Sequence, residues 1–348
     1  MKTTDELPAE LIRVSKQLAM EAGIPELASH AKLLPIAEGG SDRLFVRLSS
    51  GRRSAVLLFQ PGGWGELDSY IDIGHFLRRH GIGVPELYAF DRERGAVLME
   101  DLGDLHLEDA LKTASADEVL TYYRGALDIL VELETAVTDA MMRDELLREK
   151  LFDEQTLLGE TDYFLREFID GFCPVPIPDS WEEERRFLAE TLAREKPVFM
   201  HRDFQSRNIM LKEGRLRLLD FQTAHRGPGV YDAASILKDA YHPVPPALRR
   251  KLLEELHAKL TERGARHGER FAAFLEIFTL AGIQRNLQAL AAFAKLGVRK
   301  GKARFLDSIP SGLDLLEKGI KESGRFPGLE NMVIAVRERL RNQPEKGM

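Results

Sequence analysis

Leu11, Val14 and Leu18 recur at intervals of three and four, so Pro8 to Ala22 is predicted to be a helix, with Thr4 or Asp5 available to cap it. The period then changes. Leu44, Val46 and Leu48 alternate with Phe45 and Arg47, the pattern of a strand with one buried face. Ala55 to Phe59 is an unbroken apolar run, suited to the centre of a sheet. A glycine-rich stretch, Gly39-Gly40-Ser41-Asp42-Arg43, lies between two strand-like runs. Ser69 to His80 reads as a helix ended by Gly81 and Gly83, and Leu87 to Phe90 and Ala96 to Met99 as short strands around a charged turn.

From about residue 106 the helical period dominates. Helices are expected over Leu107 to Leu111, Val119 to Val137 and Arg143 to Phe152, and again after Pro243. Phe271, Leu275 and Phe278, then Leu287, Leu290, Ala291 and Ala294, mark apolar faces there. Short strand signals interrupt the pattern at Val198-Phe199 and Leu216 to Leu219, and the polar tail from Arg337 is expected to fray. A small strand-rich part followed by a larger helical part is an α+β pattern, with its boundary near Met99 to Asp104. Residues 1–100 and 101–348 are the two expected domains.

Composition narrows the classes. At 348 residues the chain can bury roughly three quarters of its unfolded surface, enough for one large or two smaller domains. Forty-nine basic against 56 acidic residues give a net charge of −7, the wrong sign for a dedicated nucleic-acid binder. Cys173 is the only cysteine, which excludes an intrachain disulfide and a multi-cysteine zinc site. The segment MKTTDELPAELIRV carries charge where a signal peptide needs an apolar run, and no stretch reaches the ~18 apolar residues of a membrane span. A cytoplasmic protein without membrane or nucleic-acid partners is expected.

The candidate chemistry lies in His201-Arg202-Asp203-Phe204-Gln205-Ser206-Arg207-Asn208 and, after a strand–turn–strand segment, Asp220-Phe221-Gln222. In a catalytic loop of this kind the first Asp accepts a hydroxyl proton, and the Asn and the later Asp hold Mg²⁺ through hard oxygen ligands. Glu213-Gly214 at the turn would return Asp220 to the side of Asn208. Phosphoryl transfer needs this arrangement because its catalysis is mostly positioning and charge neutralisation.

On these residues the sequence resembles the aminoglycoside-phosphotransferase and choline-kinase-like branch of the protein-kinase-like fold. It is most similar there to the bacterial N-acetylmuramate/N-acetylglucosamine anomeric kinases. Further stretches carry the resemblance: Gly39 to Arg43, Gly227-Pro228 with Tyr231-Asp232, and Gln284-Arg285 through Phe293-Ala294-Lys295-Leu296 to Gly301-Lys302. The resemblance implies a two-lobed structure, a small β-rich N-terminal lobe and a larger α-rich C-terminal lobe with nucleotide in the cleft between them. It implies transfer of the γ-phosphate of ATP to a small-molecule hydroxyl, most plausibly the anomeric hydroxyl of an N-acetylated amino sugar. Asp203 becomes the catalytic base, and Asn208 and Asp220 the Mg²⁺ ligands. Gly39, Gly40 and Ser41 become the turn over the phosphates, and Met99, Glu100 and Leu102 part of the hinge to adenine. A sugar-phosphate nucleotidyltransferase becomes a possible functional companion.

The chain departs from that pattern where the strand after the glycine-rich turn should supply a lysine, because Ala55 to Phe59 has none. Arg43 is the favoured replacement and Arg47 the next basic residue on its strand face. With the lysine gone, Asp68 or Asp72 could serve as its helix acid, but either reads rather as a cap or surface residue. His201 reads as structural, and Arg202 as a phosphate contact or a loop brace. Gln205 stands where the sugar-kinase relatives often have a histidine. Asp232 and Asp239, seven apart on one helix, are expected to brace the loop and to face a substrate hydroxyl respectively. Gln205, Asp239 and Arg285 are the candidate substrate contacts. The basic run Arg299, Lys300, Lys302 and Arg304 would suit an acidic sugar or be a solvated turn. Trp64 would pack on the small lobe or close over a ligand. Other acceptors stay open, among them an aminoglycoside, a choline-like alcohol and homoserine. So does a non-catalytic nucleotide-binding module. A protein kinase is disfavoured by the missing lysine and by the absence of an Ala-Pro-Glu segment after Asp220.

Overall fold

Nine strands are assigned among the described residues: β1 (Lys32–Pro35), β2 (Leu44–Ser50), β3 (Arg53–Phe59), β4 (Leu87–Asp91), β5 (Ala96–Glu100), β6 (Pro197–Met200), β7 (Ile209–Lys212), β8 (Arg215–Leu218) and β9 (His225–Pro228). The structure is a computed structural model that describes residues 7–36, 43–60 and 65–342. The glycine-rich stretch Gly39, Gly40, Ser41 and Asp42, the caps Thr4 and Asp5, and Trp64 lie outside the described residues. The chain forms two compact units, each built from two separate pieces of sequence. One runs to His106 and takes in Asn208–Thr223; the other holds Leu107–Arg207 and the chain from Ala224.

The first unit is strand-rich. Its sheet has the order β1-β2-β3-β5-β4, with every neighbouring pair antiparallel. β3 is central, and its apolar run from Ala55 to Phe59 is buried, as a strand covered on both faces requires. The helix Ala9–Glu21 lays Leu11, Val14 and Leu18 on Val46, Leu48, Leu57 and Leu98. The helix Leu67–Arg79 ends at Gly81, whose φ of 81° suits glycine. Its buried side faces the short helical turn Phe221–Thr223: the Phe221 ring lies 4.7 Å from that of Tyr70, tilted by 31°, and against Gly74.

The second unit is helical, with β6 and β9 as a short antiparallel pair. The long helix Phe271–Ala294 is buried on nearly all sides over its second half and packs against Glu154–Phe164, Val230–Leu237 and Ile309–Ser323. Three segments wind more widely, as π turns: Leu133–Val137, Leu165–Asp170 and Lys295–Arg299.

Four expectations are corrected here. Arg143 to Phe152 is not a helix, because Glu145 and Leu147 take positive φ and the Lys150 and Phe152 backbones bond to Arg226 of β9. The helix expected from Val119 starts at Ala116, where Ser115 and Glu118 form a reciprocal capping box. The tail from Arg337 does not fray at once: the helix Pro327–Asn342 holds it, and Arg337 pairs with Asp314 and Glu317. The helix that carries Asp232 ends at Leu237, so Asp239 lies beyond it.

Candidate functional site

The two motifs fall in different units, and each is built by its own surroundings. In the helical unit β6 ends at Met200 and the chain turns sharply, with Arg202 at a φ of 78°. Such a backbone costs a non-glycine residue energy and persists only when its surroundings hold it. Asp232 supplies the hold. Its carboxylate accepts the His201 N–H at 2.6 Å and the Arg202 N–H at 2.8 Å. Burial pushes the Asp232 carboxyl up to about 8, against the pull of those two donors. The expectation that Asp232 braces the loop matches this geometry. His201 is fully buried, its ring edge-on to Phe204.

Arg202 braces the loop from its side chain as well. Its guanidinium reaches Glu160 at 3.3 Å and lies over the Phe152 ring. Glu160 is buried and also accepts from Tyr231 at 2.9 Å and Gln284 at 3.2 Å. Three residues distant in sequence thus share one carboxylate.

Asp203 follows, its side chain 30% exposed and 3.5 Å from Arg285 of the long helix. Arg285 is buried, and it also donates to Gln205 at 2.9 Å, to Ser235 at 3.1 Å and to Gln288. It therefore fixes Asp203 and Gln205 together. Asp239, expected to face a substrate hydroxyl, has both carboxylate oxygens engaged by the protein itself. It is buried, one oxygen taken by the Ser206 N–H and hydroxyl and the other by the Tyr241 N–H. It holds the loop from its far end, as Asp232 holds the near end.

In the strand unit, β7 and β8 form a two-stranded hairpin. Its turn residues Glu213 and Gly214 both have positive φ, 51° and 72°, the geometry that matches strand twist. The Leu219 N–H closes the open end on the Asn208 carbonyl at 2.8 Å, which puts Asn208 and Asp220 at the same end. Asp220 has a φ of 55°, and its side chain is 45% exposed beside Arg43 at 4.0 Å. Gly83 is pressed against the same hairpin, its carbonyl accepting the Leu218 N–H at 2.7 Å. Asn208 and Asp220 offer an amide and a carboxylate oxygen, a hard set of the kind Mg²⁺ takes when phosphates and water complete its shell. Among the described residues no group of three or more His, Cys, Asp or Glu side chains could hold a metal.

The end of β5 and the residues after it are fixed from two sides. Met99 accepts the Tyr70 hydroxyl through sulfur at 3.1 Å. The Lys212 ammonium bonds the Glu100 carboxylate at 2.8 Å and the Asp101 carbonyl at 2.9 Å, while Leu102 is buried. Burial alone would raise the Glu100 carboxyl, but Lys212, the Glu86 N–H and Arg217 together hold it below the usual range. Arg47 is spent here too, on Asp101 at 2.7 Å and Asp104 at 2.9 Å. That leaves Arg43 as the strand-side cation beside Asp220. Asp68 and Asp72 are exposed and face Arg92, at 2.6 and 3.9 Å.

The strand unit thus carries Asn208 and Asp220 at one end of a hairpin, and the helical unit carries Asp203 on a braced loop. The chain belongs to the APH phosphotransferase enzyme family, whose pattern matches residues 32–273. It is 29% identical over 310 residues to an N-acetylmuramate/N-acetylglucosamine kinase of Pseudomonas aeruginosa, covering 88% of this chain and 89% of that one. A kinase of the same name from Caulobacter vibrioides is 28% identical, covering 71% and 68%. Among solved structures, an ethanolamine kinase of Plasmodium vivax superposes with a TM-score of 0.61 at 14% identity, covering 90% of this chain and 89% of that one. An aminoglycoside phosphotransferase solved with streptomycin and ATP, APH(2″)-IIa, gives 0.58 at 14%, covering 87% and 96%. These likenesses establish the kinase-like fold, a strand sheet and a larger helical part.

Glu160 and the loop-fixing role of Arg285 were not legible in the sequence as braces. Both act on residues far along the chain, and no short motif records such a pairing.

Proposed function

We propose that this chain is a kinase that transfers the γ-phosphoryl group of ATP to the anomeric hydroxyl of an N-acetylated amino sugar. The observation that carries the reading is the Asp203 loop. Its base is partly exposed, while buried carboxylates and Arg285 fix the backbone and side chains around it. The curated relatives named as N-acetylmuramate/N-acetylglucosamine kinases support the acceptor.

Asp203 accepts the proton as the sugar oxygen attacks. A hemiacetal hydroxyl is more acidic than an ordinary alcohol, so a carboxylate suffices as base. Arg285 and Gln205 keep that carboxylate oriented and border the acceptor. Asn208 and Asp220 would hold Mg²⁺, which neutralises charge on the β- and γ-phosphate oxygens when bound. Arg43, with the N–H groups of Gly39, Gly40 and Ser41, takes the phosphates, and Met99, Glu100 and Leu102 border adenine. In this reading residues 1–100 carry the phosphate turn, and 101–348 the catalytic loop, the metal ligands and the acceptor site. Asp239 keeps its place behind the loop. Among the described residues no helix is long and apolar enough to cross a membrane; the reading places the enzyme in the cytoplasm. A sugar-phosphate nucleotidyltransferase is the enzyme class that would consume the product.

The test is turnover with Mg-ATP over a pool of N-acetylglucosamine, N-acetylmuramate, hexoses, choline, homoserine and an aminoglycoside, read by phosphorus NMR. A resonance with anomeric coupling, present only with the amino sugars, is expected. An ester signal from another acceptor alone would discard the sugar, and nucleotide binding with no product from any acceptor would discard the kinase.

A further inference from the structure

We propose that Tyr163 and Lys295 form a subsite for a carboxylate on the acceptor, so that the enzyme prefers an acidic amino sugar to its neutral counterpart. The proposal rests on the sugar-kinase reading above.

Tyr163 belongs to the helix Glu154–Phe164, three residues beyond the Glu160 that braces Arg202 of the catalytic loop. Asp203 is among the charges felt by its hydroxyl, which ties the ring to the same neighbourhood. Burial pushes the Tyr163 phenol up to about 12, so it stays a neutral donor at any working pH. The Lys295 ammonium lies 5.5 Å from the Tyr163 ring centre, and the Arg166 guanidinium 5.4 Å from it.

Glu167 is buried, and both Arg299 at 3.0 Å and Arg166 at 3.1 Å share its carboxylate. No carboxylate among the described residues pairs with Lys295. Glu167 is thus already shared by two guanidiniums, and the half-buried Lys295, whose ammonium lies by the Tyr163 ring, has no carboxylate of its own. The backbone is unusual at the same place. Arg166 and Glu167 lie in the π turn Leu165–Asp170, and Lys295 and Arg299 in the π turn Lys295–Arg299. Such turns recur at functional sites, because each re-aims side chains that a regular helix would place elsewhere.

Lys295 begins where the long helix that carries Arg285 ends. Ten residues of helix rise about 15 Å, and helical side chains lean back toward the N-terminus. The ammonium is thus directed from Lys295 back toward the Arg285 end, where Asp203 is held. A sugar whose reacting hydroxyl meets Asp203 would bring a distant acid group toward Lys295, with the Tyr163 ring as an apolar face for the sugar carbons. Lysine suits this role as a compact point charge. The same charge repels an aminoglycoside or a choline-like cation, and so separates the acceptor classes that the sequence left open.

The experiment compares kcat/KM for N-acetylmuramate, which carries a lactyl carboxylate, with that for N-acetylglucosamine, which does not. In Lys295→Met the acidic-over-neutral ratio should fall roughly tenfold, the size of one charge-assisted contact, mainly through KM. Lys295→Arg should keep most of the ratio, which guards against a folding defect. A ratio unchanged in Lys295→Met, or lost equally in Lys295→Arg, overturns the subsite. Calorimetric titration of each sugar without nucleotide makes the comparison independently of turnover. A wild type that binds both sugars equally overturns the subsite but not the kinase, whereas phosphorylation of neither sugar overturns the kinase reading itself.

Discussion

Asp203 and Asp232 carry similar side chains to opposite ends. Asp203 is partly exposed and oriented by a guanidinium, whereas Asp232 is buried and spent on two backbone N–H groups. Asp203→Asn should abolish turnover in the phosphorus NMR assay while leaving ATP affinity, read by calorimetry, largely intact. Asp232→Asn replaces one accepting oxygen with a donor facing an N–H group, so the loop should lose about 1–3 kcal/mol of support. A lower melting temperature and a lower kcat together would register that loss. Two buried acids also set a pH dependence. Burial pushes Glu134 up to about 7, and Asp232 to about 8, against about 4 for carboxylates in an unfolded chain. Between those limits the folded chain keeps protons that the unfolded chain has released. Stability from this source therefore falls as pH rises through the window and levels off above pH 8, by up to about 1.4 kcal/mol per unit for each acid. The melting temperature should drop from pH 5 to 8, and Glu134→Gln should flatten part of that drop; an unchanged slope would exclude Glu134. Asp203, Asn208 and Asp220 could be read in the sequence because their spacing is a local property of one loop and one hairpin. Glu160 could not, since its partners Arg202, Tyr231 and Gln284 lie 42, 71 and 124 residues away.

The hairpin β7–β8 is the element on which Asn208 and Asp220 depend, and its turn is only half optimised. Gly214 takes positive φ freely, but Glu213 at 51° does not. Glu213→Asn supplies the residue favoured there and should stabilise the protein by roughly 0.5–1 kcal/mol, measurable by urea unfolding, with activity retained. Gly83 is the opposite case. A Cβ there would lie 2.8 Å from the Leu216 carbonyl, a backbone atom that can yield only by moving β8. Gly83→Ala should cost about 1–3 kcal/mol and raise KM for Mg-ATP before it affects the sugar. The strands were legible because alternation and an apolar run are direct records of burial in a sheet. The helix misread over Arg143 to Phe152 shows the limit of periodicity. Apolar spacing there suits a helix, yet Arg226 takes the backbone bonds from another part of the chain. Ser115 and Glu118, by contrast, carry a capping box that marks the true helix start three residues ahead of Val119.

At the scale of the molecule, the strand unit is not a continuous stretch of sequence. Phe221 packs against Tyr70 and Gly74, and Leu211 and Leu218 donate to Leu105 and Gly83. A fragment ending at His106 lacks all of these contacts. Expressed alone, residues 1–106 should give no cooperative thermal transition by circular dichroism, and adding Asn208–Thr223 through a linker should restore one. Composition could limit size and charge but could not reveal this interleaving, because no signal in a linear pattern marks a segment that returns to an earlier unit.

The same interleaving imposes a schedule on biosynthesis. The ribosome must add 117 more residues after His106 before Thr223 exists. At about 5–20 residues per second that is a wait of roughly 6–23 s. During it the nascent sheet has emerged, yet the cover of its Leu67–Arg79 helix has not been made. The strand unit is therefore first in sequence but cannot be first to finish, and its exposed apolar surface is open to chaperones and to aggregation for that interval.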